Sequence, residues 1–456
     1  MSEQDTICAV STPVGEGGIG IIRVSGKEAI NIAARLFRPK QAGDIRMSKS
    51  HRILYGHIVD PGNGGVIDEV LLSVMRAPAT YTREDVVEIN CHGGMAPLWH
   101  VVRTLNAAGA RQAEPGEFTK RAFVNGRIDL VQAEAVMDLI RARTELSLRA
   151  ANEQLRGGLS ERIEALREQL VGIVAGVEAG IDFPEEDLET PLGGPLQEAM
   201  QVAREDVELL IRSHAFGRVL REGAAATIVG RPNVGKSSLM NALLRQDRAI
   251  VTAVPGTTRD VIEESLNIGG LMVRIIDTAG IRDTHDMVEA EGVKRSLAAI
   301  EAADVAIVVL DGSEPLHEGD RRVLREVSGK NRIIAVNKAD LPRRIGLIGD
   351  SARKVEVSCS SGAGMDELRD ALASLVVQEG MAAAEHGWAV NERHRRELEL
   401  ARTALDRALE TIGRGLSPEL IAVDLRDALD HLGMIVGATY TDDILERIFN
   451  EFCIGK

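Results

Sequence analysis

The sequence predicts a multidomain protein of mixed α/β and all-α parts, in which an α/β unit interrupts a helical region. Three observations predict it. Residues 1 to about 118 carry short strand-like pieces separated by glycine and proline clusters. From Thr119 to about Ala215, and again after Glu379, apolar residues recur at three- and four-residue spacings. Between these helical stretches, residues 224 to about 377 alternate short apolar strands with helices. At 456 residues the chain is too long for one ordinary core. The economical arrangement is a discontinuous helical domain with a second domain inserted at a loop tip. The segments are then 1–118, an α+β domain; 119–215, the first helical part; 216–380, the insertion; and 381–456, the second helical part.

In the first segment, Ile19–Val24, His51–Val59, Glu69–Met75 and Asp85–Asn90 read as strands. Pro61-Gly62-Asn63-Gly64-Gly65 and His92-Gly93-Gly94 read as turns. Lys27–Phe37 and Met95–Ala108 read as helices. Leu130, Ala133, Glu134, Met137, Ile140 and Arg141 keep helical spacing, and Ser160–Ile181 and Leu196–Ser213 behave the same way. Pro184 and Pro191 to Pro195 punctuate them. In the insertion, Ala226–Val229, Leu271–Asp277, Val305–Asp311, Arg332–Asn337 and Lys354–Ser358 form a βαβ series, which implies a mainly parallel sheet. Asn391–Ile412 and Pro418–Asn450 close the helical region.

Composition narrows the function classes. Hydrophobic residues make up 44% and charged residues 27%, as in globular proteins. No apolar run approaches the roughly 20 residues of a spanning helix, and Met1 to Val10 does not read as a signal peptide, so the cytoplasm is the expected compartment. Cys8, Cys91, Cys359 and Cys453 are far apart, which argues against a zinc site or a disulfide framework. The net charge of −15 gives no global attraction for nucleic acid, and 3% aromatics leaves few stacking platforms. An RNA partner would need a local basic patch or a helper protein.

Gly230-Arg231-Pro232-Asn233-Val234-Gly235-Lys236-Ser237 fits the pattern Gly-x-x-x-x-Gly-Lys-Ser/Thr, after one strand and at the start of the helix Ser238–Leu244. Loop and helix N–H groups there cradle phosphate oxygens, Lys236 adds positive charge, and Ser237 offers a hydroxyl to Mg²⁺. Asp277-Thr278-Ala279-Gly280 ends the second strand, where a carboxylate can reach Mg²⁺ through water and Gly280 can face a γ-phosphate. The loop Thr252, Ala253, Val254, Pro255, Gly256, Thr257 and Thr258 lies between, and a threonine in it can complete the Mg²⁺ shell. Asn337-Lys338-Ala339-Asp340 closes the fourth strand. Asp340 can accept hydrogen bonds from guanine N1–H and the 2-amino group, donors that adenine lacks, a discrimination of about 10⁴-fold. Ser358-Cys359-Ser360 can support the base through backbone amides; Cys359 stands where Ala is usual and reads as a small packed residue. Four elements in this order predict a Ras-like P-loop domain that binds and hydrolyses GTP.

In Ras-like proteins a glutamine follows the second motif and orients water, but here that position is Ile281. Asn233 and the loop Thr252–Thr257 offer oxygens that could hold a monovalent cation where an arginine finger would otherwise sit. Glu289 is a candidate for positioning water. The plainer alternative is that Asn233 fixes the loop and Glu289 is a solvated helix residue.

End to end, the chain resembles the MnmE (TrmE) family of tRNA uridine modification GTPases. The resemblance rests on Asp5-Thr6-Ile7-Cys8-Ala9, Gly18-Ile19-Gly20-Ile21-Ile22-Arg23-Val24-Ser25-Gly26, Pro115-Gly116-Glu117-Phe118-Thr119 with Arg121-Ala122-Phe123, and the terminal Cys453-Ile454-Gly455-Lys456. It implies a homodimer through the N-terminal domains and a heterotetramer with an FAD-dependent partner, MnmG (GidA). Together these place a carboxymethylaminomethyl or aminomethyl group at C5 of the tRNA wobble uridine. It implies K⁺ held by Asn233, Thr252, Val254 and Thr257, Mg²⁺ held by Ser237 and Thr258, and water oriented by Glu289. It implies that 5-formyltetrahydrofolate binds the N-terminal domain at Arg23, Glu84, Arg127 and Lys456. The third of these is often lysine in relatives, and Arg127 keeps the charge with a different geometry. Cys453 could attack a pyrimidine or a one-carbon unit, or could simply pack a C-terminal helix. A ribosome-assembly switch and a membrane-linked iron-transport GTPase are the competing readings. The former usually carries a basic RNA-binding appendage, and the latter needs membrane spans.

Overall fold

The computed structural model describes residues 5–13, 15–182, 194–247, 264–276, 298–377 and 388–456. Contacts divide the chain into two compact units, 1–137 with 436–456 and 138–435.

In the first unit, seven strands form one sheet in the order β3-β4-β5-β6-β2-β1-β7. They are β1 (Ile7–Val10), β2 (Gly17–Ser25), β3 (Phe37–Pro39), β4 (Arg52–Val59), β5 (Val66–Met75), β6 (Val86–Gly93) and β7 (Arg111–Gln112). All pairings are antiparallel except that of β1 with β7. Along β5, Asp68, Val70, Leu72 and Val74 are buried while Glu69 and Leu71 are exposed, the period-two signature of a sheet with one covered face. Helices α1 (Ala29–Leu36) and α2 (Met95–Ala107) supply the cover. Leu98, Val101, Val102 and Leu105 of α2 share a core with Ile22, Leu72 and Ile89. Helix α3 (Glu117–Val124), the start of α4 (Leu130–Arg141) and the closing helix Asp442–Asn450 pack through Phe123, Leu130, Met137, Leu445, Phe449 and Phe452.

Three differences from the sequence reading have local causes. Strands β1 and β7 are four and two residues long, too short to show a period. Gly93 belongs to β6 rather than to a turn, because a Cβ there would stand 2.3 Å from the Gly17 carbonyl oxygen on the neighbouring strand. The run Pro418–Asn450 is two helices, Pro418–Val436 and Asp442–Asn450, parted after Gly437 at φ +81°.

In the second unit, six strands follow the order β13-β12-β11-β8-β10-β9. They are β8 (Ala224–Val229), β9 (Glu264–Ile268), β10 (Leu271–Ile276), β11 (Val305–Asp311), β12 (Asn331–Asn337) and β13 (Arg353–Glu356). Every pairing is parallel except β9 with β10. Strands β8 and β11 are buried at every residue, as central parallel strands covered on both faces must be. Strand β9 was missed in the sequence; it reaches β10 through Gly269-Gly270, both at positive φ, as a two-residue hairpin requires.

Helices α5 (Glu145–Arg156), α6 (Gly158–Asp182) and α7 (Gly194–Glu222) precede this sheet. Helix α7 runs past Ser213 to Glu222 and enters β8 through Gly223 at φ +81°, so 216–222 is helical. It packs against the helix Glu392–Gly413. The returning chain at Ala389 and Val390 lies beside the departing one. Gln154 and Arg221 both donate to the Ala389 carbonyl, at 3.0 and 2.9 Å, and Arg221 also reaches the Val390 carbonyl at 2.7 Å. No described helix is long and apolar enough to cross a membrane.

Candidate functional site

The phosphate loop spans the end of β8 and the start of α8 (Lys236–Asp247). Asn233 and Gly235 take φ of +65° and +103°, the kind of backbone from which successive N–H groups build anion-binding concavities. The Lys236 amine donates to the carbonyls of Gly230 (2.9 Å) and Arg231 (3.0 Å), so it lies across the loop. Burial pushes its pKa down. Val234 is buried; Asn233, Ser237 and Ser238 are exposed at the rim. Arg231 braces the loop from outside through ion pairs to Glu314 and Asp320.

The base-recognition residues are tied to this loop by one side chain that sequence reasoning did not single out for that role. Asn337, buried at the end of β12, donates through Nδ2 to the Val234 carbonyl at 2.9 Å. Its Oδ1 accepts from the Cys359 N–H at 3.4 Å. A Cβ on Gly235 would stand 2.1 Å from Asn337 Nδ2, so the close approach demands glycine. Three motifs that are distant in sequence thus meet at one carboxamide.

Lys338, at φ +65°, sends its amine to Asp311 at 2.5 Å. Burial works to raise the Asp311 pKa. Lys338, together with the Ser313 hydroxyl and amide, outweighs it and holds the carboxyl below its usual range. Asp340 is exposed, and Ser358 donates to its Oδ1 at 2.6 Å, lowering its pKa. Ser360 stands 2.9 Å from the Ser358 hydroxyl. An ionised acceptor pinned at one oxygen is what a guanine edge with two donors requires. Cys359 is half-buried, and burial and then the Asp340 charge push its thiol up, so it rests neutral. Thr252, Ala253, Val254, Pro255, Gly256, Thr257, Thr258, Asp277, Thr278, Ala279, Gly280, Ile281 and Glu289 lie outside the described residues. Of the residues expected to hold cations, Ser237 and Asn233 are described.

The first unit gathers a second set. The Arg23 guanidinium pairs with Glu88 at 2.8 Å and lies 5.5 Å from the Tyr81 ring and 5.7 Å from that of Phe118. Arg127 lies 4.7 Å from the same Tyr81 ring. Glu84 accepts from the Ser25 hydroxyl at 2.7 Å and from Arg121 at 3.1 Å. Lys456 is brought in through its backbone, its carbonyl accepting from the Phe118 N–H at 3.2 Å. Upstream, Ile454 bridges Pro115, and Gly455, at φ +97°, sits where a Cβ would be 2.2 Å from the Val10 carbonyl oxygen. Cys453 is exposed. Tyr81, Phe118 and Arg121 were not singled out from sequence as site residues, although the last two lie in the quoted junction motif. Two guanidiniums resting on one aromatic ring, beside a carboxylate acceptor, suit a planar ligand that carries both N–H donors and carboxylates.

The parallel sheet, the phosphate loop and the Asp340–Ser358 acceptor define the class: a P-loop GTPase fold with a guanine-type base site. The TrmE N-terminal model, described as "GTP-binding protein TrmE N-terminus", matches residues 6–127, and the "MnmE helical domain" model matches 130–453. The chain is 48% identical to the tRNA modification GTPase MnmE of Geobacillus kaustophilus, 49% to that of Geobacter sulfurreducens and 46% to that of Acetivibrio thermocellus, covering 100% of both chains each time. It belongs to the MnmE family. Among solved structures it is similar to Aquifex aeolicus Era bound to GDP and AlF4⁻, at 27% identity over 33% of this chain and 56% of that one, with a TM-score of 0.26.

Proposed function

We propose that the chain hydrolyses GTP to gate modification of C5 of the tRNA wobble uridine. The observation that carries the nucleotide half is the bonded path Val234–Asn337–Cys359 beside the Asp340–Ser358 pair, which couples base recognition to the phosphate loop. Full-length similarity to MnmE proteins supports the tRNA half. In this reading Ser237 and Thr258 hold Mg²⁺, and Asn233, Thr252, Val254 and Thr257 hold K⁺. A cation there supplies positive charge against the γ-phosphate in the transition state. Glu289 orients water. Arg23, Glu84, Arg127 and Lys456 bind 5-formyltetrahydrofolate, which supplies the one-carbon unit. The chain works in the cytoplasm as a homodimer, joined by the FAD-dependent MnmG (GidA) as a heterotetramer. Its domains follow the segments 1–118, 119–215, 216–380 and 381–456.

Two measurements test this. GTP hydrolysis is expected to be much faster in KCl than in NaCl, and equal rates would remove the cation from the mechanism. Total tRNA from a deletion strain is expected to lose its C5-modified wobble uridines. Unchanged nucleosides with abnormal ribosome profiles would instead support an assembly switch.

A further inference from the structure

The sheet of the first unit ends on a basic edge whose cations are all exposed. Between Arg35 and Arg52 stand six Lys or Arg residues and one acidic residue, Asp44, in a chain of net charge −15. The six are Arg35, Arg38, Lys40, Arg46, Lys49 and Arg52, and all are exposed. They sit on the end of α1, the edge strand β3, the loop that follows it and the start of β4. This segment is fixed in place. Arg76 donates from Nη2 to the Arg46 carbonyl (2.6 Å) and from Nε to the Ser48 carbonyl (3.2 Å), while its N–H bonds the Ser50 hydroxyl at 2.9 Å. Asp44 caps the 3₁₀ turn Ile45–Met47 through the Arg46 N–H. Large apolar side chains lie among the charges: Met47 is 84% exposed and Ile53 68%. Tyr55, also exposed, has the Lys40 amine 5.9 Å from its ring centre.

We propose that this basic edge, Arg35 to Arg52, is a docking surface for the phosphate backbone of a structured RNA. The inference rests on the reading above that RNA is the substrate, and it says where that substrate is held. Charge complementarity points to a polyanion. With a screening length of about 8 Å at physiological ionic strength, a phosphate at this edge feels the local cations more than the distant acidic surface. An exposed tyrosine beside a lysine adds a face on which a base or ribose can rest. An acidic protein would be met by the same charges, but the planar Tyr55 ring, held at its hydroxyl by Glu69 and flanked by Lys40, offers a stacking face that favours nucleic acid. A plainer role also exists, since charges on a short edge strand discourage edge-to-edge pairing of sheets.

Binding of a fluorescent unmodified tRNA transcript to the full chain, followed by anisotropy across a KCl series, separates these. The triple variant Lys40→Glu, Lys49→Glu, Arg52→Glu is expected to weaken binding at least tenfold. It is also expected to flatten the slope of log K against log salt by about 2, at roughly 0.7–0.9 for each phosphate that is no longer neutralised. Far-UV circular dichroism and Tm of the same protein are expected to match the wild type, which certifies the fold of the first unit, and GTP hydrolysis is expected to stay at the wild-type rate. The milder Lys40→Gln, Lys49→Gln pair should flatten the slope by about 1.5 on the same rule, and it serves if the triple variant fails to fold. Charge reversal at the exposed Arg322 and Arg325 in the other unit should change nothing. Wild-type affinity and slope in the triple variant would overturn the surface and leave the RNA reading standing. Absence of tRNA binding by the wild type would overturn both. Intact tRNA binding with loss of an acidic protein partner, or with aggregation alone, would assign the edge to a protein or to sheet protection and also overturn the proposal.

Discussion

At the scale of single residues, the nucleotide site depends on contacts with little room for change. Gly235→Ala adds a methyl 2.1 Å from Asn337 Nδ2 at a φ of +103°, so both sterics and backbone oppose it. We expect loss of measurable GTP binding by titration calorimetry and a lowered Tm, because the clash falls on buried Asn337 and breaks its hydrogen bond to Val234. Asp340→Asn replaces an acceptor-only group with one that presents a donor to guanine N–H groups. The preference for GTP over ATP is expected to fall by about 10²-fold or more in competition binding, and retained preference would move base recognition elsewhere. His92 has a shifted titration. His92 hydrogen-bonds buried Asp68 at 2.6 Å, and this contact raises the imidazole pKa. The folded state then holds the proton more tightly than the unfolded one. Its stabilisation is present below the ordinary imidazole range and is lost as pH rises through the raised value. NMR titration should place His92 above a free histidine, and Asp68→Asn should return it. The motif residues were legible because phosphate and guanine recognition need fixed residue types at fixed spacing. Asn337 was legible as a motif member but not as the bridge to Val234, because that hydrogen bond joins residues 103 apart.

At the scale of elements, the passages into and out of the inserted sheet are held by few groups. Gly217 lets α7 touch the returning chain, since a Cβ would stand 2.5 Å from the Val390 carbonyl oxygen. Arg221 supplies hydrogen bonds to Ala389 and Val390. Arg221→Ala removes a charged donor from two carbonyls, each bond worth about 1.5–3 kcal/mol at most. We expect urea unfolding to show a loss of up to about 3–6 kcal/mol for the two bonds together, and no loss would show the return segment to be held by Gln154 and packing. Helical periodicity disclosed that a helical region surrounds an α/β unit. The end of α7 was less legible, because residues 214–222 keep helical character while serving as the lead into β8. The hairpin β9–β10 was hidden for a different reason: Glu264–Ile268 is too short and too polar at its start to register beside its apolar partner.

At the scale of the whole molecule, the two compact units carry different chemistry: nucleotide recognition in one, and the Tyr81 cluster with the C-terminal tail in the other. Family resemblance identified the tail as informative, whereas spacing alone left Arg23, Glu84, Arg127 and Lys456 as scattered charges. Their meeting depends on the chain ends. Ser11 donates to the Gly455 carbonyl at 3.1 Å, and Phe118 to that of Lys456. The backbone around Cys453 is thereby fixed while its thiol stays exposed. A thiol that served only to pack would be expected inside, as Cys8 and Cys91 are. Cys453→Ser keeps size and polarity but gives up thiolate nucleophilicity. GTP hydrolysis and Tm should be unchanged, because the phosphate loop belongs to the other compact unit and the serine keeps the size of the exposed side chain. In vitro tRNA modification with the FAD-dependent partner, GTP and folate should fall to background. Modification at the wild-type level would make the thiol dispensable and leave the tail a positional role, which Gly455→Ala would then expose by driving a methyl into the Val10 carbonyl.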